Sequence, residues 1–200
     1  MDATTISEWL DQHVWPQIQA MMLNDAYFKL MGRARELTGE FNGPIAGLIE
    51  MGYVTSQTIA IRRLCDKDSR SISLMRTLDE AKKANMIHDE QFTVLLGQLN
   101  SCGPVCTLVN KYVAHTDRTP PDWNLSVTHL TDAQKALCQV AIALDHVLPN
   151  PKNYVKLIPV PQFDIMQEFR SWVPDERINE LWKFWHAHND AVNAWILQSA

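Results

Sequence analysis

Apolar residues recur at helical spacing along most of the chain. Ile6, Trp9, Leu10 and His13 share one face, and Ile18, Met21, Met22 and Phe28 carry the pattern on past Pro16, which predicts helix over residues 5 to 38. Pro16 lacks an amide hydrogen, so it either kinks this segment or opens a second helix at its first turn. Gly39 and the Asn42-Gly43-Pro44 cluster end it. A second helix over 45 to 66 places Met51, Val54, Thr58, Ile61 and Cys65 on one stripe, and Asp66-Lys67-Asp68-Ser69 breaks it.

A third helix over 72 to 84 buries Leu74, Leu78 and Ala81, and a fourth begins near His88. At Cys102-Gly103-Pro104 the missing proline donor forces a restart, so Pro104 opens a new helix with Val105, Leu108, Val109, Tyr112 and Val113 as its core stripe. Residues 117 to 130, with Thr119-Pro120-Pro121, read as loop. Thr131 and Gln134 have the spacing of a capping box for an apolar helix running to about Leu148. Four prolines between Pro149 and Pro161 predict an extended connector outside the core. Helices over 163 to 172 and 175 to 198 carry Phe163, Phe169, Trp172, Trp182, Phe184, Trp185 and Trp195, aromatics expected in a core or a dimer interface.

These elements add up to an all-α, single-domain helical bundle of six or seven helices over residues 1 to 200, with 149 to 162 as the proline-rich connector. Composition agrees, because only 7 glycines leave few of the tight turns that an all-β chain needs. A net charge of -5 supplies no global field for nucleic acid, so any such binding must come from a local patch. The four cysteines form no C-x-x-C pair and suggest a reducing cytoplasm. The acidic N-terminus does not resemble a secretory signal, and no apolar run reaches bilayer length, so neither export nor a membrane partner is expected.

Candidate chemistry falls in two places. The stretch "VNKYVAHTD" ends an apolar helix with Asn110, Lys111, His115 and Asp117. At about 100° per residue Lys111 lies about 40° from His115, on the same flank, whereas Asn110 lies about 140° away and can join only from the opposite flank or across a subunit interface. The second place is "RRLCDKDSR", Arg62 to Arg70. From 62 to 83 seven basic side chains face four acidic ones, a local excess of three. Arg62 and Asp66 are spaced to pair along one helix face, and Arg63 and Arg70 extend the basic group.

Together, "IRRLCDKDSRSISLMRTLDEA" and the later helix ending in "NKYVAHTDR" resemble the HEPN superfamily, in its branch related to abortive-infection proteins, over residues 40 to 120. The resemblance implies an all-α fold, a homodimer and metal-independent RNA cleavage with no cofactor, in a toxin-type or phage-defence setting where an antitoxin or other protein partner is expected. It makes His115 the catalytic residue with Asn110 beside it. It departs at one point: where active members carry an arginine upstream of the histidine, this chain has Leu108, Val109 and Asn110. The cation must come from Lys111, a compact ammonium, or from Arg62 or Arg63 brought in by helix packing. Without it, the fold is expected to serve as a non-catalytic dimerisation or interaction module.

Other groups invite weaker readings. His186 and Asp190 are one turn apart, but His188 is rotated about 200° from His186, which argues against a shared metal. Cys102 and Cys106 straddle Gly103-Pro104 and read as buried thiols.

Overall fold

The computed structural model describes residues 1–40, 43–110, 126–154, 156–161 and 164–197. Among them the regular structure is all helix: α1 (Ala3–Trp9), α2 (Trp15–Thr38), α3 (Pro44–Leu64), α4 (Leu74–Lys83), α5 (Asp89–Ser101), α6 (Gly103–Leu108), α7 (Val127–Val147), α8 (Ile165–Phe169) and α9 (Asp175–Leu197). The all-α class expected from the periodicity is therefore present, cut into more pieces because proline and short linking turns interrupt long runs.

Of the two readings of Pro16, the opening of a helix at its first turn is the one the structure shows. It sits in the first turn of α2, and ahead of it Leu10–Val14 forms a π-helical turn in which the Trp15 amide reaches back to the Leu10 carbonyl. The rod thus runs on from α1 to α2 without a break. Along it Ile6, Leu10, Val14, Ile18, Met22, Ala26, Leu30 and Ala34, every fourth residue, are fully buried. α2 stops at Gly39, whose φ of 73° suits a residue without Cβ and lets its amide bond the Arg35 carbonyl at 2.8 Å.

α7 is the central element, packing against α3, α4, α5, α6 and α9. Its sequence explains this, since Leu137, Cys138, Val140, Ala141, Ile142 and Leu144 leave almost no polar face over two turns. One contiguous core runs from Ile6 to Val192.

The expected loop to residue 130 and the Thr131–Gln134 cap are corrected here. α7 starts at Val127, capped by Ser126, whose amide donates to His129 Nδ1 at 3.0 Å. Gln134 is instead fully buried inside the bundle, and the Thr131 hydroxyl bonds the Val127 carbonyl one turn back. Met51 leaves the predicted stripe as well: it is 62 % exposed, and α3 turns Tyr53, Gln57, Thr58, Ile61 and Leu64 inward. The proline-rich connector has no regular secondary structure among its described residues but is not simply extended, since it bends at Leu157 and Ile158 and Asn153 has a φ of 51°; nor is it outside the core, because Leu157 and Ile158 are buried. Of the C-terminal aromatics, Phe169 and Trp185 are buried and Trp172, Trp182, Phe184 and Trp195 pack partly buried against the core, while Phe163 lies outside the described residues.

Candidate functional site

The last turn of α3 turns Ile61, Leu64 and Cys65 into the core, which leaves Arg62 at the edge facing α6. Its Nε donates to Asn110 Oδ1 at 2.9 Å and its Nη1 lies 3.2 Å from Asp66 Oδ1, the i,i+4 pair expected from spacing. Nη2 has no partner among the described residues. Arg63, one residue on, points elsewhere: it is exposed and borders a groove with Gln17, Ala20 and Met21 of α2. The two arginines therefore diverge, and only Arg62 turns toward the Asn110 end.

The loop after α3 is knotted around this contact. Asp66 Oδ1 accepts the Asp68 amide at 3.1 Å, and Ser73 Oγ donates to the Asp66 carbonyl at 2.5 Å while capping α4 by accepting the Arg76 amide at 3.1 Å. Asp68 grips Arg70 through its Nε at 3.1 Å and Nη2 at 2.7 Å. Partial burial pushes the Asp66 carboxyl up, but the Asp68 amide and Arg62 outweigh it and hold it below the ordinary range. The Arg70 side chain is the main reason the Asp68 carboxyl is also low. Exposed Lys67, on the loop after Asp66, has no ion-pair partner among the described residues, so the corner keeps open positive charge. Arg76 is committed, with its guanidinium over the Trp9 ring at 5.9 Å and 3.6 Å from Glu80.

Asn110 is exposed at the end of the α6 segment, and Val109 before it is buried at 6 % exposure. His115, Lys111, Asp117, Tyr112 and Val113 lie outside the described residues. The structure thus brings together Arg62, Asn110 and Asp66, keeps Arg70 on the adjoining loop, and turns Arg63 to another face. Three thiols border the corner. The Cys102 thiol, with burial added, pushes the Cys65 thiol up to about 12, and Cys106 is raised mainly by Cys65, so both stay protonated at neutral pH.

A second polar centre lies where the hydrophobic pattern gives no warning of one. Asp25, fully buried on α2, accepts the Tyr53 hydroxyl, lies 2.8 Å from Lys29 Nζ and 3.6 Å from His188 Nε2, and accepts Gln134 Nε2 at 3.4 Å. Gln134 also donates to Gln57 Oε1 at 3.0 Å, and Gln57 to the Met21 carbonyl at 3.1 Å. This joins α2, α3, α7 and α9 through one carboxylate. Burial would raise the Asp25 pKa, but His188, Lys29 and Tyr53 outweigh it and hold it at about 2. Asp25, Gln57 and Gln134 are all sealed from solvent, so the centre can lock four helices but cannot receive a substrate. The one available signal is an acid on the inward face of α2 between Met22 and Ala26.

Among the described residues no three His, Cys, Asp or Glu side chains gather as a metal site, and no helix is long and apolar enough to cross a membrane. Comparison of the chain with family models, characterised proteins and solved structures returns no significant match.

Proposed function

We propose that this protein is a metal-independent endoribonuclease of the HEPN type, in which Arg62 replaces the arginine missing from the His115 segment. The observation that carries the reading is the 2.9 Å contact between Arg62 Nε and Asn110 Oδ1, which sets a permanent cation beside Asn110, the residue five positions upstream of His115 in the chain. Guanidinium suits this role because its fixed fork can hold a phosphate through two oxygens. In the proposed reaction the ribose 2'-hydroxyl attacks the adjacent phosphorus and the 5'-oxygen leaves. His115 moves the proton, and Arg62 Nη2 with the neighbouring positive charge offsets the extra negative charge. The proposal includes a homodimer, an RNA substrate and a protein antitoxin.

The test is cleavage of labelled RNA under chelator by the wild type, His115→Ala and Arg62→Ala. Turnover by the wild type and its loss in both variants is expected. Negligible cleavage by all three ends the enzyme reading.

A second reading, a non-catalytic interaction module, is favoured by Asp66 already occupying Arg62 Nη1 and by the apolar outer face of α3, where Ile45, Leu48 and Met51 are exposed. Arginine restored at Asn110 separates the two. Asn110 is exposed and within reach of the site, whereas an arginine at Val109 would have to be buried. Cleavage gained only in Asn110→Arg identifies a fold that had lost its cation.

A further inference from the structure

α3 turns Tyr53, Gln57, Ile61 and Leu64 inward, against a bundle in which it packs on α2, α6 and α7. Its other side is bare. At about 100° per residue, Ile45, Leu48, Gly52, Ser56, Ile59 and Arg63 all lie within about 40° of the direction of Gly52, and all are exposed. They form a straight strip about 27 Å long. Aliphatic side chains lined up in water in this way mark a surface that a partner covers.

The order of residues along the strip identifies the partner as a second copy. Ile45 stands seven residues before Gly52 and Ile59 seven after it, so two strips laid antiparallel about a two-fold axis at Gly52 set each Ile45 against the other copy's Ile59. Leu48 then falls on the gap bounded by Gly52, Thr55, Ser56 and Ile59 of the other copy, the i, i+3, i+4, i+7 hole that receives a knob. The gap is open, because a Cβ on Gly52 would meet nothing within 4 Å. Covering it strands no polar group, since the Ser56 hydroxyl accepts from Asn24 Nδ2 at 2.8 Å and donates to the Tyr53 carbonyl at 2.9 Å.

Charge selects the same arrangement. Arg63 ends the strip and Glu40 stands just before α3 at the opposite end; both are exposed, and neither has an ion-pair partner among the described residues. Reversed across the axis, position 63 falls beside position 41, next to the other copy's Glu40, and the two-fold makes this pairing twice. A parallel pairing would instead set Leu48 on Leu48, leave a void at Gly52 and place Arg63 beside Arg63.

We infer that the outer strip of α3 is the surface on which this protein pairs with itself, two copies crossing antiparallel at Gly52 with Leu48 in the other copy's hole and Arg63 against its Glu40. The inference rests on the proposed homodimer and not on the RNA chemistry.

Oxidative cross-linking of the full chain reads the register. Gly52→Cys lies on the axis and should form a dimer-linking disulfide, whereas Ile45→Cys and Ile59→Cys should link only when the two variants are mixed. The wild type, whose four cysteines are buried or half-buried, supplies the background. Arg63→Glu should raise the dissociation constant about tenfold in low salt, because two attractive contacts per dimer become repulsive. Adding Glu40→Arg to it should restore the affinity, a rescue that damage to the fold would not allow, and thermal melts confirm that each variant is folded. Ile45→Cys alone linking as well as Gly52→Cys would mean a parallel pairing and overturn the inference. A wild type that is dimeric by light scattering while Gly52→Cys gives no link would overturn the α3 contact and leave the homodimer standing. A wild type still monomeric at about millimolar concentration would leave this face to a different protein and overturn both. RNA cleavage under chelator is scored separately, so the chemistry at Arg62 and the pairing at Gly52 can fail independently.

Discussion

Arg62 and Asn110 are 48 residues apart in the chain, yet Nε and Oδ1 meet at 2.9 Å where α3 packs on the α6 segment. The arginine is thus aimed by a side chain of the stretch that leads to His115. Arg62→Ala should lower single-turnover RNA cleavage by about 100-fold or more, because the donor to the developing charge is gone. Arg62→Lys should restore little, since an ammonium cannot contact Asn110, Asp66 and a phosphate in one plane. Full activity in a folded Arg62→Ala protein would remove the arginine from the reaction.

The Asp25 centre predicts a defined acid response. Its folded pKa, about 2, is below the ordinary 3.8, so its contribution is fully present above the ordinary value and is lost as pH falls from about 4 toward 2. The contribution is about 2 kcal/mol, because each tenfold change in a proton-binding constant is worth about 1.4 kcal/mol. Urea unfolding followed from about pH 5 down to about pH 2 should show a smaller loss of stability for Asp25→Asn than for the wild type. Identical losses would mean that the carboxylate is not charged in the fold.

The α3 face offers a test of assembly. Leu48 is 67 % exposed and Met51 62 %, so a charge there costs the monomer little, within about 0.5 kcal/mol. In the proposed homodimer the same charge should raise the dissociation constant at least about tenfold. Light scattering on Leu48→Glu should then report monomer at concentrations where the wild type is dimeric; unchanged mass would place the contact elsewhere.

Core truncation should separate inner from outer positions. Leu137 is fully buried at the middle of α7, and Leu137→Ala should cost about 2–5 kcal/mol in denaturant unfolding. A cost below about 1 kcal/mol would argue against α7 as the centre of the bundle.

Helix class, the restart at Pro104 and the Arg62–Asp66 pair are legible in the sequence because each depends on neighbours within about one turn. The start of α7 is not. Thr131 and Gln134 fit a capping rule, but Gln134 is held by Asp25 and Gln57, partners 109 and 77 residues away that no local pattern reveals. Met51 fails for the same reason, since which flank of α3 is covered depends on where α2 and α7 lie. The strap reads as external because proline reports backbone shape and not burial, and Leu157 and Ile158 carry the burial. At the candidate site, spacing identifies Arg62 and Asn110 separately, and tertiary packing chooses Arg62 over Arg63.

The fully buried positions from Ile6 to Ala34 recur at every fourth residue, whereas a helix closes its turn in about 3.6. Each step therefore advances the contact line by about 40°, and the rod meets α4 through α1 before it meets α3, α7 and α9 through α2. It behaves as an axle gripped from successive directions. Inserting or deleting one residue near its middle would swing everything downstream by about 100° and put several neighbours out of phase at once. Length changes in this first segment should thus be tolerated far less well than substitutions, and its unravelling should take the whole bundle with it.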